Sequence, residues 1–195
     1  MRSRLVGVVL IATLGGLAGC GGGGSGAAAT SSADGTVSPG AATPSAAARM
    51  TVSSPAFADG GTVPGRYTCG GADVSPPLAF SGVPGRTAGL VLLVEDRDAP
   101  GGTFTHWLVW NMDPRTRSLP TDAAPPGATQ GRNDFSKTGY SGPCPPPGTP
   151  HRYAFTVYAA DRRLALKPNA TAADVRHALI GHTLASGTLT AHYGR

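Results

Sequence analysis

The chain has 195 residues with 29 Gly, 18 Pro and only 14% charged residues, a balance that suits a turn-rich β domain with an appended flexible segment better than a helical bundle. Its formal charge of +5 comes without a Lys/Arg run or an aromatic ladder beside one. That excludes a nucleic-acid-binding face and leaves weak attraction to anionic small molecules or lipid surfaces.

Residues 1–20 open with Arg2 and Arg4, continue through the apolar stretch Leu5 to Leu14, and close on Leu17-Ala18-Gly19-Cys20. Small residues leading into a cysteine look like a bacterial lipobox, with diacylglycerol placed on the Cys20 sulfur and cleavage before it. The apolar run is short for a transmembrane helix. The expectation is an exported lipoprotein with a palmitate-type acyl anchor, held extracytoplasmically at the cell membrane. Residues 21–49 are almost wholly Gly, Ala, Ser, Thr and Pro and cannot bury enough apolar surface to offset the entropy of ordering, so they read as a disordered tether. A coil of that composition spans roughly 30 Å on average.

From Met50 short apolar runs alternate with Gly/Pro punctuation, so the folded domain is expected over 50–195. Thr51 to Ser53 opens a strand and Phe57 to Gly61 forms a turn. Ser75-Pro76-Pro77 reads as loop before an edge-like strand, Leu78 to Phe80. Leu90 to Val94 is apolar on both faces, the mark of a central strand. It delivers Glu95, Asp96 and Asp98 into the turn Ala99-Pro100-Gly101-Gly102, after which a second strand starts on His106 and continues through Trp107 to Met112. Two carboxylates and an imidazole therefore meet at the ends of neighbouring strands.

The stretch Pro114 to Pro150 is too long for a structureless insert in a compact domain unless it serves a site, and it reads as a loop walling the Asp96/His106 cluster. Tyr153 to Tyr158 is a clean strand that carries His151 to the same end. Thr171-Ala172-Ala173-Asp174 resembles a capping box, and Val175, Ala178, Leu179 and His182 recur at helical spacing. This predicts one helix of about twelve residues ending before Gly187, then a closing strand over Thr188 to Tyr193.

Asp96-x-Asp98-Ala99-Pro100 with His106-Trp107, and Gly139-Tyr140-x-Gly142-Pro143-Cys144-Pro145-Pro146 with His151-Arg152-Tyr153, resemble the two signature blocks of the phosphatidylethanolamine-binding protein family. The closer likeness is to its bacterial, Raf-kinase-inhibitor-like branch, and it extends from Val52 to the end of the chain. It implies a mainly β fold, a large antiparallel sheet packed on a smaller one with few peripheral helices. It also implies a ligand pocket built from Asp96, Asp98, His106, Gly142, Pro143, His151 and Tyr153, which takes phosphate or a phosphoethanolamine-like headgroup.

In that pocket imidazole N–H groups and a phenol would converge on oxyanion oxygens, Gly142 would add a backbone N–H, and the carboxylates would orient a histidine or accept a proton-bearing group. Taken singly, His106 reads as a satisfied structural histidine, Tyr153 as core and Arg152 as an edge charge. One departure is Arg97, which stands where the family's block carries Pro between the two Asp residues; turned inward, it would strengthen anion binding.

With Cys20 lipidated, Cys69 and Cys144 are an even pair in loops of an exported chain, which favours a disulfide over free thiols. No zinc-type ligand spacing occurs, no cofactor is implied, and no catalytic signature is present. The expected function is non-enzymatic binding of small anions or phospholipid headgroups at a membrane. Relatives that inhibit kinases or proteases through the surface around the pocket make regulation of such a partner the alternative, and homodimers occur in the family. A cryptic phosphoester hydrolase ranks behind both.

Overall fold

A computed structural model describes residues 48–195. The signal peptide and lipobox expected at 1–20, and the tether up to residue 47, lie outside the described residues. In chain order the strands are β1 (Ala48–Arg49), β2 (Thr51–Ser53), β3 (Gly61–Thr62), β4 (Leu78–Ser81), β5 (Gly89–Asp96) and β6 (Phe104–Met112). They continue with β7 (Ser118–Leu119), β8 (Thr129–Gln130) and β9 (His151–Ala160), then helix α1 (Ala172–Leu179) and β10 (Thr183–Tyr193).

Every residue of β5 is buried, as expected of a strand covered on both faces. It lies antiparallel between β9 and β6 in a seven-stranded sheet ordered β1-β10-β9-β5-β6-β8, with β3 also paired to β10. A second, three-stranded antiparallel sheet runs β2-β4-β7. Strand alternation divides the apolar residues between two cores. Leu90, Leu92, Val94, Trp107 and Phe155 join Val52, Leu78, Phe80 and Leu119 of the small sheet. Val91, Leu93, Leu108 and Trp110 lie instead beneath Val175 and Leu179 of α1. The fold is thus mainly β, a large sheet packed on a smaller one with one helix near the C terminus.

Several boundaries differ from the sequence expectation for physical reasons. Strand pairing begins at Ala48 rather than Met50, because β1 lies parallel beside Ala185 and Ser186 of β10. β4 is the middle strand of its sheet, not an edge: the two prolines end at Pro77, so its own N–H groups are free to pair. The capping box forms, with Thr171 N donating to Asp174 Oδ2 at 2.8 Å and Asp174 N donating to Thr171 Oγ1 at 3.4 Å. The helix is nonetheless eight residues long, since Gly181 at φ 74° turns the chain after Leu179 and places His182 beyond it.

β10 accordingly starts at Thr183, not Thr188, and runs straight through Gly187. That glycine is there for a close approach: a Cβ would lie 2.7 Å from the carbonyl carbon of Met50. The Pro114 to Pro150 segment gives β7 to the small sheet and β8 to the large one before it reaches the site.

Candidate ligand pocket at one end of the large sheet

Antiparallel register brings Asp96 opposite both Phe104 and Tyr153, so β5, β6 and β9 present their site residues at the same end. Val94 pairs with Trp107 and Glu95 with Thr105, which leaves His106 as the extra residue of a β-bulge. A bulge re-aims the side chain it carries; here His106 meets the edge of Tyr153, with ring centroids 5.3 Å apart. Asp96, His106 and His151 line a cavity of about 270 Å³ walled by Pro100, Phe104, Phe135, Cys144, Pro145 and Pro146.

The hydrogen bonds fix what each polar group offers. His106 is 2% exposed, and its Nδ1 lies 2.7 Å from the Ser141 carbonyl. A carbonyl only accepts, so Nδ1 carries the proton and Nε2 keeps a lone pair in the neutral ring. Burial holds the His106 pKa below the usual histidine value, opposed by the Ser141 carbonyl and Asp96. The N–H expected to meet an oxyanion is therefore spent on Ser141 while the ring is neutral.

His151 Nδ1 lies 2.7 Å from Asp96 Oδ2, whose partner oxygen accepts from Asp98 N at 2.9 Å. Tyr153 is fully buried, and burial together with the adjacent Asp96 raises its pKa, so it stays a phenol. Its hydroxyl has no hydrogen-bond partner among the described residues.

Other expected site residues lie around the cavity rather than in its lining. Asp98 is held by Arg152 through Nε at 2.8 Å, Nη2 at 2.5 Å and the backbone N at 2.9 Å, and the guanidinium keeps its carboxyl at about 2. The Gly142 N–H donates to Asp73 Oδ1 at 2.6 Å and is not available to a ligand. What Gly142 supplies is proximity, since a Cβ would lie 2.5 Å from the Tyr67 carbonyl oxygen.

Pro143 accepts from Cys69 N at 3.2 Å, beside the disulfide that joins Cys69 to Cys144 with Cα atoms 5.4 Å apart. The bond ties the proline wall to the turn after Tyr67. Arg97 turns away from the cavity to Glu95, Nη2 to Oε2 2.8 Å, so it adds no charge to the pocket.

The aromatic wall escaped the residue-level reading. Phe104, Phe135 and His106 form a mutual edge-to-face cluster with centroids 4.8–5.4 Å apart. Phe135 is brought there by a local zipper. Asp134 N donates to Thr105 O at 3.0 Å and Thr105 N to Asp134 Oδ2 at 2.6 Å, while buried Asn133 donates to His106 O at 3.2 Å. The signal available in sequence was Asn133-Asp134-Phe135, a turn-forming polar pair followed by an aromatic.

A small cavity that sets Asp96, His106 and His151 in an apolar wall, closed by a cross-linked loop at the end of a two-sheet β fold, has the make-up of a small-ligand pocket. Residues 53–194 match the sequence profile described as phosphatidylethanolamine-binding protein, and the chain belongs to that family. It is 43% identical over 151 residues to a UPF0098 protein of Methanothermobacter thermautotrophicus, covering 75% of this chain and 99% of that one. It is 40% identical over 181 residues to LppC, a candidate lipoprotein of Mycobacterium tuberculosis H37Rv, covering 89% and 86%. Among solved structures it superimposes with a TM-score of 0.72 on Escherichia coli YbcL, described as a member of the mammalian PEBP family, at 34% identity over 76% of this chain and 99% of that one. A PEBP homologue from Chlamydia trachomatis, CT736, gives 0.72 at 38% identity, covering 75% and 98%.

Proposed function

We propose that the chain is a non-enzymatic, membrane-anchored lipoprotein whose pocket binds small anions or phospholipid headgroups, with phosphate and phosphoethanolamine as type ligands. The observation that carries this reading is the Asp96–His151 pair facing His106 across an aromatic-walled cavity of headgroup size. An ammonium would be taken by the acceptors, Asp96 and His106 Nε2, with the faces of Phe104 and Phe135 beside it. A phosphate would take imidazole N–H groups after protonation; the Tyr153 hydroxyl is fully buried and is not among the lining residues. The one cysteine in the lining, Cys144, is bonded to Cys69 and so offers no thiolate nucleophile, which supports binding over catalysis.

Membrane anchoring rests on the Leu17-Ala18-Gly19-Cys20 motif and on the likeness to LppC. A match spanning 89% of the chain reaches beyond residues 48–195 and into the N-terminal segment. Calorimetric titration of residues 21–195 with phosphoethanolamine and with inorganic phosphate, at about pH 6 and about pH 8, tests the pocket. Binding of both, with phosphate the more weakened at the higher pH, supports it. A folded sample that gives no heat with either ligand refutes it.

A further inference from the structure

Ile180 is 70% exposed, and the other exposed large hydrophobic among the described residues is Phe135 at the pocket mouth. It sits on the turn between α1 and β10, at the end of the large sheet opposite the pocket. A groove of about 420 Å³ beside it is lined by Arg162, Arg163, His177 and His182 together with Leu164 and Ala178, and by no carboxylate. The nearest acid, Asp161, is shared by His182 at 3.1 Å and Arg162 at 3.6 Å. Among the described residues Arg163 meets only the carbonyls of Asn111 and Gly127, at 3.4 and 3.5 Å, the outer limit of a hydrogen bond.

The platform under these groups is fixed. Asn111 grips Leu164 by accepting from its N–H at 2.7 Å and donating to its carbonyl at 3.0 Å, and Asp161 N donates to His182 O at 3.0 Å. An apolar side chain thus projects from a rigid basic rim in which a single carboxylate, Asp161, partly offsets Arg162 and His182.

We infer that this end of the domain docks on an anionic lipid bilayer, with Ile180 as its apolar anchor and Arg162 and Arg163 as its phosphate contacts. Cations around a projecting aliphatic residue are complementary to a bilayer interface, which offers anionic headgroups and hydrocarbon together. A soluble polyanion would use the cations and leave Ile180 without a role.

Topology points the same way. β1 runs parallel to β10 with Ala48 beside Ala185, so Ala48, the first described residue, lies at the Thr183 end of β10, the end that carries the Ile180 turn. The pocket lies at the other end, where Tyr193 pairs with His151, about 35 Å away along the eleven residues of β10. The 27 residues between Cys20 and Ala48, read as a coil spanning about 30 Å, let the near end rest on the surface without stretching. This part of the argument depends on the Cys20 anchor proposed above; the basic patch does not. Docked in this way, the domain turns its pocket away from its own membrane and toward ligands in solution.

The test is co-sedimentation of residues 21–195, which lack the acylation site and contain the whole described core, with phosphatidylcholine vesicles that do or do not contain phosphatidylglycerol. Binding is expected only to the anionic vesicles, and raised salt should weaken it. Ile180→Ser and the pair Arg162→Glu/Arg163→Glu should each lower partition at least about tenfold. Phosphoethanolamine binding in the pocket should be unchanged by either.

Equal partition into both vesicles overturns the inference. So does loss on Arg162→Glu/Arg163→Glu with no effect of Ile180→Ser, which would mark a site for soluble polyanions. A mass spectrum lacking acyl chains on Cys20 removes the anchoring proposal alone, because the vesicle assay does not use it.

Discussion

Removing the cross-link between Cys69 and Cys144 tests how the pocket wall is held. The two residues are 75 apart in sequence, and the closed loop contains β4 through β8. A loop of that length restricts the unfolded chain by about 4.5 kcal/mol in the loop-entropy account, an upper value where the reduced chain keeps residual structure. The folded side should change little, because the junction is also tied by Cys69 N to Pro143 O at 3.2 Å, Gly142 N to Asp73 at 2.6 Å and Tyr140 O–H to Tyr67 O at 2.7 Å. In Cys69→Ser/Cys144→Ser the loss therefore comes mainly from a freer unfolded state, and urea denaturation of residues 21–195 should show about 3–4.5 kcal/mol less stability. That is a large part of the 5–15 kcal/mol of a typical domain. A loss below about 1 kcal/mol would refute the reasoning, since it would mean that the unfolded chain already holds these ends together.

Two further substitutions probe packing and protonation. Gly187→Ala forces a Cβ within 2.7 Å of the Met50 carbonyl carbon where β1 meets β10, and should cost about 1–3 kcal/mol in thermal denaturation; an unchanged midpoint would show that β1 yields freely. His106 has a folded-state pKa below its unfolded value of 6.5, so the unfolded chain binds the proton more readily and stability rises with pH across that window. The contribution is complete above about pH 6.5 and is lost as pH falls toward the depressed value. Urea midpoints at about pH 5 and pH 7.5 should therefore diverge more in the wild type than in His106→Gln; equal slopes would assign the titration elsewhere.

Much of the frame was legible because it is written locally. β5 and β9 are apolar on both faces, and α1 starts where Thr171 and Asp174 cap each other. The parts that escaped depend on partners distant in sequence. β1, β3, β7 and β8 are two residues each and have no periodicity of their own. β6 alternates poorly because one bulge falls at His106 and another near Asn111, which sits at φ 61°. At the site, strand ends and the family resemblance together picked out Asp96, His106 and His151. They could not reveal that Ser141 claims the His106 proton, that Asp73 claims the Gly142 N–H, or that Arg152 claims Asp98. Each of those facts is a tertiary hydrogen bond, and each changes a donor into an acceptor or removes a group from the pocket.

The acidic run at the end of β5 shows how strand alternation assigns roles. Asp96 points into the cavity, and Glu95, one residue earlier, points to the opposite face, where it is fully buried beneath α1. Neither Glu95 oxygen has a hydrogen bond of good geometry, so its charge is compensated by Arg97 and by Arg176 of the helix. Both arginines are well exposed, with side chains 39% and 44% accessible, and can return to water if the carboxylate is neutralised. Glu95→Gln should then cost about 1–2 kcal/mol, less than removing a partner from a wholly buried pair, while leaving phosphoethanolamine binding intact. Asp96→Asn should abolish ligand heat by releasing His151 and, because it breaks a buried pair, should cost at least as much stability as Glu95→Gln. Urea denaturation and calorimetry on the two variants measure both quantities. If Glu95→Gln also abolished binding, the two faces of β5 would be coupled through the strand, and the separation of pocket from helix would be wrong.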